Sequence, residues 1–575
     1  MPHLNFNYKL KFKTGIVAGA IVLSLLSLAF VEDMFQVTKN LDLFASVYKE
    51  ISINYVDEVD PSKVIKTGID AMLEDLDPYT QYIQESDVVD YKLKYVSTQY
   101  GGIGASIFTR DGKLYISEPF EGFPAQKADI RPGDEILEIN SIKVKGKTNE
   151  QVSQMLKGPK NSTVKLLINR PEVANPIEKP LIREDIKQDN VSYYGMLPEN
   201  VGYIKLDRFL EDSSQEVKQA LLELRKNKLN GLILDLRNNG GGILQDAVKI
   251  VNLFVNKDVN VVIQKNRYKD RTITYKTSSN PIEAELPLIV LINSRSASAS
   301  EIVAGSLQDL DRAIIVGQRS FGKGLVQQTF NLPYNSLMKV TVAKYYTPSG
   351  RCIQALDYTH RDSEGSVVKV ADSLISEYKT KRGRLVYDGS GIYPDVFVKP
   401  LKYNQITQTL ANKYFVFDYA TKFRKEKQSI GDAKSFNISD SEYLNFVDFL
   451  SNKDYNYNTK TEKLLSDLRD EAEKENKLGE IKTEYEALKA KVFYSKKNDL
   501  IQFKDEIRKV LEAEITSRYY FERGRIEQGF KYDTEISKAL TVIGDKSTIA
   551  SILKGEGTLK TIGKPGEDFS ANAPK

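Results

Sequence analysis

The residues whose types and spacing are best suited to chemistry include a run of serines. The serine segment, Ser-Ala-Ser-Ala-Ser-Glu at 296–301, lies between the apolar stretch 288–292 and the amphipathic stretch 302–310. A serine at such a strand-to-helix turn can project its hydroxyl outward, and the free N–H groups and dipole of the following helix favour a developing oxyanion. Ser298 and Glu301 also have the spacing of a helix capping box, which is the purely structural interpretation.

A lysine framed by glycines follows the next apolar stretch, Ala-Ile-Ile-Val-Gly at 313–317. The lysine segment reads Ser-Phe-Gly-Lys-Gly at 320–324. Glycines allow neighbouring backbone to pack closely around Lys323. Because burial disfavours the charged form of an amine, a buried lysine can accept a proton from a serine hydroxyl.

A third element follows the buried apolar stretch 232–236. This glycine turn, Asp-Leu-Arg-Asn-Asn-Gly-Gly-Gly at 235–242, permits close backbone approach and unusual dihedral angles. Seen alone, it is equally explained as an ordinary strand-to-helix turn.

Composition narrows the chemistry further. The 575 residues carry a net charge of +4 and include two histidines, His3 and His360, and one cysteine, Cys352. A His/Cys metal site and an intrachain disulfide are therefore not expected, and a Ser-His-Asp triad would depend on His360 alone. A lysine base is the simpler interpretation, and it needs neither a metal nor a cofactor. The basic residues are dispersed, so no nucleic-acid partner is predicted.

Two other motifs in the chain resemble sites of different chemistry. Residues 317–324 nearly match a phosphate-binding P-loop, but Gly324 stands where a magnesium-binding Ser or Thr belongs. The next residues, 325–330, read as a strand, whereas a P-loop leads into a helix. The Ser-x-x-Lys pattern of penicillin-recognising enzymes recurs by chance, and the two Lys-Thr-Gly copies, at Lys13 and Lys66, lie upstream of it.

The N-terminus has the pattern of a membrane or export segment. Lys9, Lys11 and Lys13 precede an uncharged stretch from Thr14 to Val31. Its length is near the lower end of the roughly 17–25 residues that span a bilayer. The preceding positive charge predicts that the N-terminus stays in the cytoplasm and that the rest of the chain is exported. In a bacterial cell this would be a single-pass inner-membrane protein with its candidate catalytic part in the periplasm. The alternative is a signal cleaved near Ser-Leu-Ala at 27–29, which would release the chain into the periplasm.

Hydrophobic periodicity outlines the rest of the chain. Residues 40–95 read as helices, and short strands with turns follow from Tyr100 to Pro171. Strands then alternate with helices to about residue 400, which favours an α/β layer fold. Leucines and alanines between 464 and 488 recur at helical spacing beside charged faces, and the last dozen residues read as disordered.

Together these motifs resemble the carboxyl-terminal processing peptidases, also called tail-specific proteases. The likeness covers most of residues 40–400, with the glycine turn, serine segment and lysine segment in the family's order. Three further segments are similar to family motifs: Leu-Asp-Pro-Tyr-Thr at 76–80, Tyr-Thr-Pro-Ser-Gly-Arg at 346–351 and Gly-Ile-Tyr-Pro-Asp at 391–395. Arg-Pro-Gly-Asp at 131–134 resembles a PDZ domain.

The resemblance implies a multidomain α/β and β fold. The expected parts are a cytoplasmic stub with a membrane anchor or signal at 1–35, a helical N-terminal domain at 36–97, a PDZ domain at 98–175, an α/β serine protease core of the ClpP/crotonase type at 176–404, and a charged, partly helical C-terminal extension with a disordered end at 405–575. The extension departs from the better-known members. It is a candidate surface for an adaptor or for a second copy of the chain.

The resemblance also assigns roles. It implies Ser298 as nucleophile, Lys323 as general base and Gln327 as the residue that positions the lysine. The implied oxyanion donors are the N–H groups of Ala299 and Gly241, with Gly240 as the alternative to Gly241.

Other assignments concern substrates and one acidic residue. Asp309 matches an acidic position of unassigned role. Backbone N–H groups around Gly102, Ile103 and Gly104 would hold the terminal carboxylate of a protein or peptide substrate added as a strand. The expected activity is cleavage of proteins from or near their C-termini. The alternative is a noncatalytic PDZ scaffold in the cell envelope.

Overall fold

The computed structural model describes residues 35–96, 99–171, 173–361, 367–492 and 496–556. The chain forms two compact units. Among the described residues, one unit comprises 35–85 and 327–341, and the other comprises those within 86–326 and 342–556. The expected anchor or signal, Thr14 to Val31, lies outside the described residues, as does the C-terminal end beyond 556. Among the described helices, none combines the length and apolar character required to cross a membrane.

The smaller unit begins with two helices and a short strand. These are α1 (35–54), α2 (Pro61–Glu74) and β1 (Gln81–Ile83). Asp60 caps α2 by accepting the N–H groups of Ser62 and Lys63, and a proline occupies the first helical turn. The helical pattern predicted for 40–95 is thus interrupted, and β1 pairs antiparallel with residues 337–339.

The larger unit begins with a small β domain. Its sheet has the order β3-β4-β5-β7-β8, with β6 beside β5, and β2 pairs with β9. Side chains alternate between the two faces of each strand, and the aliphatic ones lie on the buried face, where they form the core of this domain. The sheet continues past residue 175, since β8 pairs with β7. The elements are α3 (Val88–Tyr95), β2 (Gln99–Gly102), β3 (Ala105–Arg110), β4 (Lys113–Pro119), α4 (Pro124–Lys127), β5 (Glu135–Ile139), β6 (Ile142–Lys143), α5 (Asn149–Leu156), β7 (Thr163–Asn169), β8 (Ile177–Ile182) and β9 (Glu184–Lys187).

The next segment is a layered α/β core. Its main sheet has the order β10-β11-β12-β15-β16-β23, parallel except for the edge strand β10. The apolar stretches predicted as buried strands become the adjacent strands β12, β15 and β16. The elements are β10 (Val191–Leu197), β11 (Val201–Leu206), α6 (Ser213–Leu224), β12 (Gly231–Asp235), α7 (Leu244–Asn252), β13 (Asn260–Lys265), β14 (Ile273–Lys276), β15 (Leu288–Ile292), α8 (Ala299–Asp309), β16 (Ile314–Gly317), β17 (Leu325–Asn331), β18 (Leu337–Tyr346), β19 (Leu356–Arg361), β20 (Val367–Lys369), β21 (Glu377–Lys379), β22 (Leu385–Tyr387) and β23 (Val396–Phe397).

The helical extension, residues 405–556, has a core of its own. Aromatic and aliphatic side chains of α9, α10, α11 and α15 form this core. Capping boxes begin α11 and α12, as at Thr459 and Glu462. The helices are α9 (Gln405–Asn412), α10 (Phe415–Glu426), α11 (Asp440–Phe449), α12 (Lys460–Lys474), α13 (Leu478–Val492), α14 (Lys497–Gln502), α15 (Lys504–Gly529), α16 (Thr534–Gly544) and α17 (Lys546–Lys554).

The main sheet is covered on both faces, as a buried parallel sheet requires. Helices α6, α7 and α8 pack against one face. The other face packs against α16 and α17, whose buried residues include Ile536 and Ile543 next to Ile289 and Ile314. The last helices of the extension are therefore part of the core layer structure.

The helical extension also packs against the small β domain. The guanidinium of Arg110 on β3 pairs with Asp418 on α10 at 3.0 Å. Phe108 stacks on Tyr414 with ring centroids 4.4 Å apart. Phe108 and Arg110 of β3 therefore face the extension, while Ile107 packs against the β domain's own core.

Candidate active site

Ser298 occupies the turn between β15 and α8. Its φ of 56° and ψ of −113° place it in a conformation that side-chain-bearing residues rarely adopt. The side chain is half-buried. Its N–H donates to Oε2 of Glu301 at 2.8 Å, which is the backbone half of the capping interaction that the Ser-x-x-Glu spacing predicts.

Glu301 does more than cap its helix. The same Oε2 accepts the N–H of Lys323 at 2.9 Å. Oε1 accepts the N–H of Gly322 at 2.7 Å and the hydroxyl of Ser320 at 2.5 Å. Because one oxygen accepts the N–H groups of both Ser298 and Lys323, the backbones of these two residues lie side by side.

The Glu301 carboxyl is completely buried. Burial raises its pKa to about 7, against the lowering effect of the Ser320 hydroxyl and the backbone N–H groups that donate to it. The ionised form satisfies four donors at once. An acid that ionises near neutral pH therefore connects the serine and lysine segments.

A tyrosine joins the same two segments from another side. The hydroxyl of Tyr345 on β18 lies 2.7 Å from the carbonyl oxygen of Lys323 and 3.1 Å from that of Ser298. Its ring is buried, and burial raises the pKa of Tyr345 well above its ordinary value. A neutral phenol is therefore held as a donor between the two carbonyl groups.

The glycine turn lies directly against the serine segment. A Cβ on Gly241 would fall 2.8 Å from Cβ of Ser298 and 2.7 Å from the nitrogen of Ala299, and the φ of Gly241 is +91°. The buried Asn239 fixes this approach, since its carbonyl accepts the N–H of Ala297 and the hydroxyl of Ser300. Only a glycine fits at 241 without displacing backbone.

The predicted oxyanion donors differ in their surroundings. The N–H of Ala299 begins α8, so it has no acceptor within its own helix. The N–H of Gly241 donates to Oδ1 of Asn239 at 2.9 Å. Gly240, the alternative donor, is exposed and has open space where a Cβ would stand.

Lys323 is half-buried between two glycines that touch other backbone. A Cβ on Gly324 would stand 2.9 Å from the nitrogen of Gln354, and one on Gly322 would meet Ala355. The close packing expected around the lysine backbone is thus present. The residues that follow form β17, which agrees with the strand expected in place of a P-loop helix. Gln327 lies on this strand, and its Nε2 donates to Oγ1 of Thr341 at 3.1 Å.

Asp309 lies at the far end of α8. Eleven residues at about 1.5 Å each separate it from Ser298 by roughly 16 Å. Its carboxylate pairs with Arg351 at 2.8 Å, and both side chains are fully buried. Asp309 therefore anchors the C-terminal end of the helix that begins at Ser298.

The three residues predicted to hold a substrate terminus lie where β2 leads into β3. Gly102 ends β2, Ile103 is buried and Gly104 has a φ of +70°. The carbonyls of Ile103 and Gly104 accept the N–H groups of Ala125 and Phe120, both at 2.8 Å. The next strand, β3, stands at the edge of its sheet, where an added strand can pair.

Three family sequence models match successive parts of the chain. A PDZ domain matches residues 94–169, Peptidase family S41 matches 200–364, and the C-terminal helical domain of a probable PDZ-protease matches 406–543. The chain is also 35% identical over 326 residues to the carboxy-terminal-processing protease of Bartonella bacilliformis, covering 56% of this chain and 74% of that protein. The chain belongs to peptidase family S41.

Other proteins are also similar to this S41 protease. It is 35% identical over 317 residues to a probable CtpA-like serine protease of Staphylococcus aureus, covering 55% of this chain and 62% of that one. Among solved structures, the photosystem II D1 C-terminal processing protease matches with 27% identity and a TM-score of 0.33, covering 62% of this chain and 92% of that chain. A PDZ domain of a Vibrio cholerae carboxy-terminal protease, solved with a peptide, matches with 29% identity and a TM-score of 0.15, covering 16% and 99%.

Several residues of the candidate site are not predicted from the sequence. The Ser-x-x-Glu spacing predicts only a capping role for Glu301, and its contacts with the lysine segment appear only in the fold. Nothing in the sequence distinguishes Asn239 from Asn238, or Tyr345 from Tyr346. Their partners lie far away in the chain, so only the fold identifies them.

Proposed function

We propose that this chain is a serine endopeptidase of the bacterial cell envelope that cleaves proteins from or near their C-termini. In this proposal Ser298 is the nucleophile and Lys323 the general base, a pair called the dyad below. The observation that supports it is the shared acceptor oxygen of Glu301, which receives the N–H groups of both residues.

The proposed mechanism is acyl transfer. Lys323, in its neutral form, takes the proton of the Ser298 hydroxyl as the oxygen attacks the peptide carbonyl. The N–H of Ala299 and a second N–H from the glycine turn stabilise the oxyanion. Gly241 can serve only if its bond to Asn239 is shared or released, and Gly240 is the alternative. The peptide C–N bond then breaks as the protonated Lys323 gives its proton to the leaving amine. Water attacks the acyl group while Lys323 takes a proton from it, and return of that proton to the serine oxygen frees Ser298. Gln327 is retained from the family resemblance as the lysine-positioning residue.

Substrate capture is assigned to the edge strand β3 and the loop before it. An extended peptide end would add to β3, and the N–H groups around Gly102, Ile103 and Gly104 would hold its carboxylate. Helix α5 lies near β3 and would form the other side of the groove. Calorimetry on a Ser298→Ala variant should show that an apolar peptide binds with a free C-terminus and loses most of its affinity when amidated. Equal binding of both peptides would contradict this assignment.

The dyad is tested by cleavage of a fluorescently labelled, unfolded reporter with an apolar C-terminus. Ser298→Ala and Lys323→Ala should each abolish cleavage. The matched controls Ser466→Ala and Lys463→Ala, both exposed on α12, should cleave as the unaltered protein does. Cleavage that persists in either dyad variant would refute the assignment. A protein that binds the reporter and never cleaves it would instead be a PDZ scaffold.

The envelope location is part of the same proposal. It is supported by the three lysines that precede the uncharged stretch from Thr14 to Val31. Fractionation should recover the full chain with membranes, and a chain lacking residues 14–31 should lose that association. Recovery of a shortened, soluble periplasmic form would favour a cleaved signal.

A further inference from the structure

One basic side chain of the glycine turn is held by the helical extension. Arg237 lies two residues beyond the end of β12, and its side chain is mostly buried. Nε donates to both oxygens of Asp235 at 3.0 Å. Nη1 pairs with Asp533 at 2.8 Å and with Glu535, both at the start of α16. The negative charges hold the pKa of Arg237 well above its ordinary value, although burial opposes them.

The same glutamate also reaches the lysine side of the site. Oε1 of Glu535 accepts a hydrogen bond from Nε2 of Gln318 at 2.5 Å. Gln318 directly follows β16 and leads into the lysine segment, and its Nε2 also donates to the carbonyl of Val398 at 2.7 Å. One carboxylate therefore contacts the glycine turn through one oxygen and the approach to Lys323 through the other.

The two acids stand on a rigid support. Asp533 caps α16 by accepting the N–H groups of Glu535 and Ile536. Behind them, α16 buries Ile536 and Ala539 against the main sheet. Because the helix is fixed by this packing, the position of the carboxylates is set by the extension and not by the loops that they contact.

We propose that Glu535 is a positioning residue for the peptidase reaction, through which the helical extension holds the glycine turn and the lysine segment at fixed positions relative to each other. The inference depends on the proposed roles of Ser298 and Lys323. It assigns Asp533 the supporting role of keeping Arg237 in place. A change that shifts α16 would displace both loops together. The position of the extension therefore determines whether Ser298 and Lys323 are placed for catalysis.

A purely structural alternative is that α16 only shields the apolar face of the sheet. Glu535→Gln separates the two ideas, because it keeps the apolar packing and removes the charge that holds Arg237. We expect kcat to fall by about 10- to 100-fold, as misplacement of reacting groups by a fraction of an ångström to one ångström does, with KM changed by less than about 3-fold. The thermal midpoint should remain close to that of the unaltered chain.

The experiment uses the full chain and the labelled reporter. Glu471→Gln, an exposed change on α12 where Glu471 pairs with Lys474, serves as the matched control and should retain normal kcat. Gln318→Leu removes only the link to the lysine side, so it should also lower kcat. In the double variant the two effects should combine less than multiplicatively, because both act through one contact.

Each outcome decides the matter. Normal kcat in both Glu535→Gln and Gln318→Leu, with Ser298→Ala inactive, would overturn this inference and leave the proposed dyad intact. A loss of kcat that only parallels a loss of folded protein would assign α16 the shielding role alone, which also overturns it. If Glu535→Gln does not fold, Gln318→Leu decides between the two ideas by the same measurement. Cleavage by Ser298→Ala would instead remove the dyad on which the inference rests.

Discussion

Replacing Glu301 by Gln isolates the charge that joins the serine and lysine segments. The carboxylate accepts four donors, two on each oxygen. An amide offers one acceptor oxygen and one NH₂ group, so at least one of the backbone N–H groups loses its partner. Leaving a buried donor unpaired costs about 1–3 kcal/mol. Because Ser298 and Lys323 depend on the same oxygen, we expect kcat to fall by about 100-fold.

The stability effect of this change depends on pH, and its sign follows from the raised pKa. Burial raises the pKa of Glu301 from 4.5 to about 7. The folded protein therefore holds this proton more tightly than the unfolded chain does. The resulting stabilisation is complete below pH 4.5 and is lost as pH rises through about 7, which amounts to about 3 kcal/mol. Glutamine does not titrate, so the variant lacks this loss.

Urea unfolding at pH 5 and at pH 8 measures the difference, in a Ser298→Ala background that prevents self-cleavage. Glu301→Gln should be less destabilising at pH 8 than at pH 5, by about 2–3 kcal/mol. The control is Glu462→Gln, another buried glutamate of a capping box. Lys496 and the N–H of Thr459 lower the pKa of Glu462 in spite of its burial, so little change is expected across this range. Equal destabilisation by Glu301→Gln at both pH values would refute the reasoning, as would an unchanged kcat.

Three further changes test other contacts. Gly241→Ala should reduce kcat by at least about 100-fold while the protein remains folded, because the new methyl group would press on the backbone of the serine segment. Activity assays together with thermal melts measure this loss, and near-normal turnover would contradict the prediction. Arg351→Met should destabilise the protein by about 3–5 kcal/mol in urea, because Asp309 would be left charged and buried, and a loss under 1 kcal/mol would argue against the pair. Arg110→Ala should weaken docking of the β domain on α10 by about 1–2 kcal/mol. The loss should appear as faster amide hydrogen exchange in the β domain and in α10, and unchanged exchange would count against that contact.

Local pattern predicts much of this fold. The apolar stretch 288–292 becomes β15 with the same bounds, and the apolar stretch 313–317 becomes β16 apart from its first residue. Such elements depend on hydrophobic periodicity and capping, which are properties of neighbouring residues. Peptidase family S41 follows from several motifs in order. The general architecture of this chain is therefore legible from its sequence.

The contacts that complete the candidate site cannot be predicted from local sequence pattern. Glu535 is about 300 residues from Arg237 in the chain, and no periodicity connects them. The extension reads as a solvated helical region because its composition is charged, yet α16 carries a buried apolar face. Sequence alone identifies that face as apolar but does not say which surface it covers. The proposed roles of Ser298, Lys323 and Gln327 likewise stay predictions that kinetics must test.

The placement of α16 and α17 on the main sheet has a consequence for biosynthesis. Strands β11, β12, β15 and β16 are made long before residues 534–554, which supply one of the two layers that exclude water from them. A nascent chain that has produced Ser298 and Lys323 thus still lacks one layer of its core, and one face of its sheet remains exposed until residues 534–554 have been made. We expect a ribosome-tethered fragment ending before residue 534 to bind chaperones and to show no peptidase activity, so that the enzyme stays silent until α16 and α17 have been made.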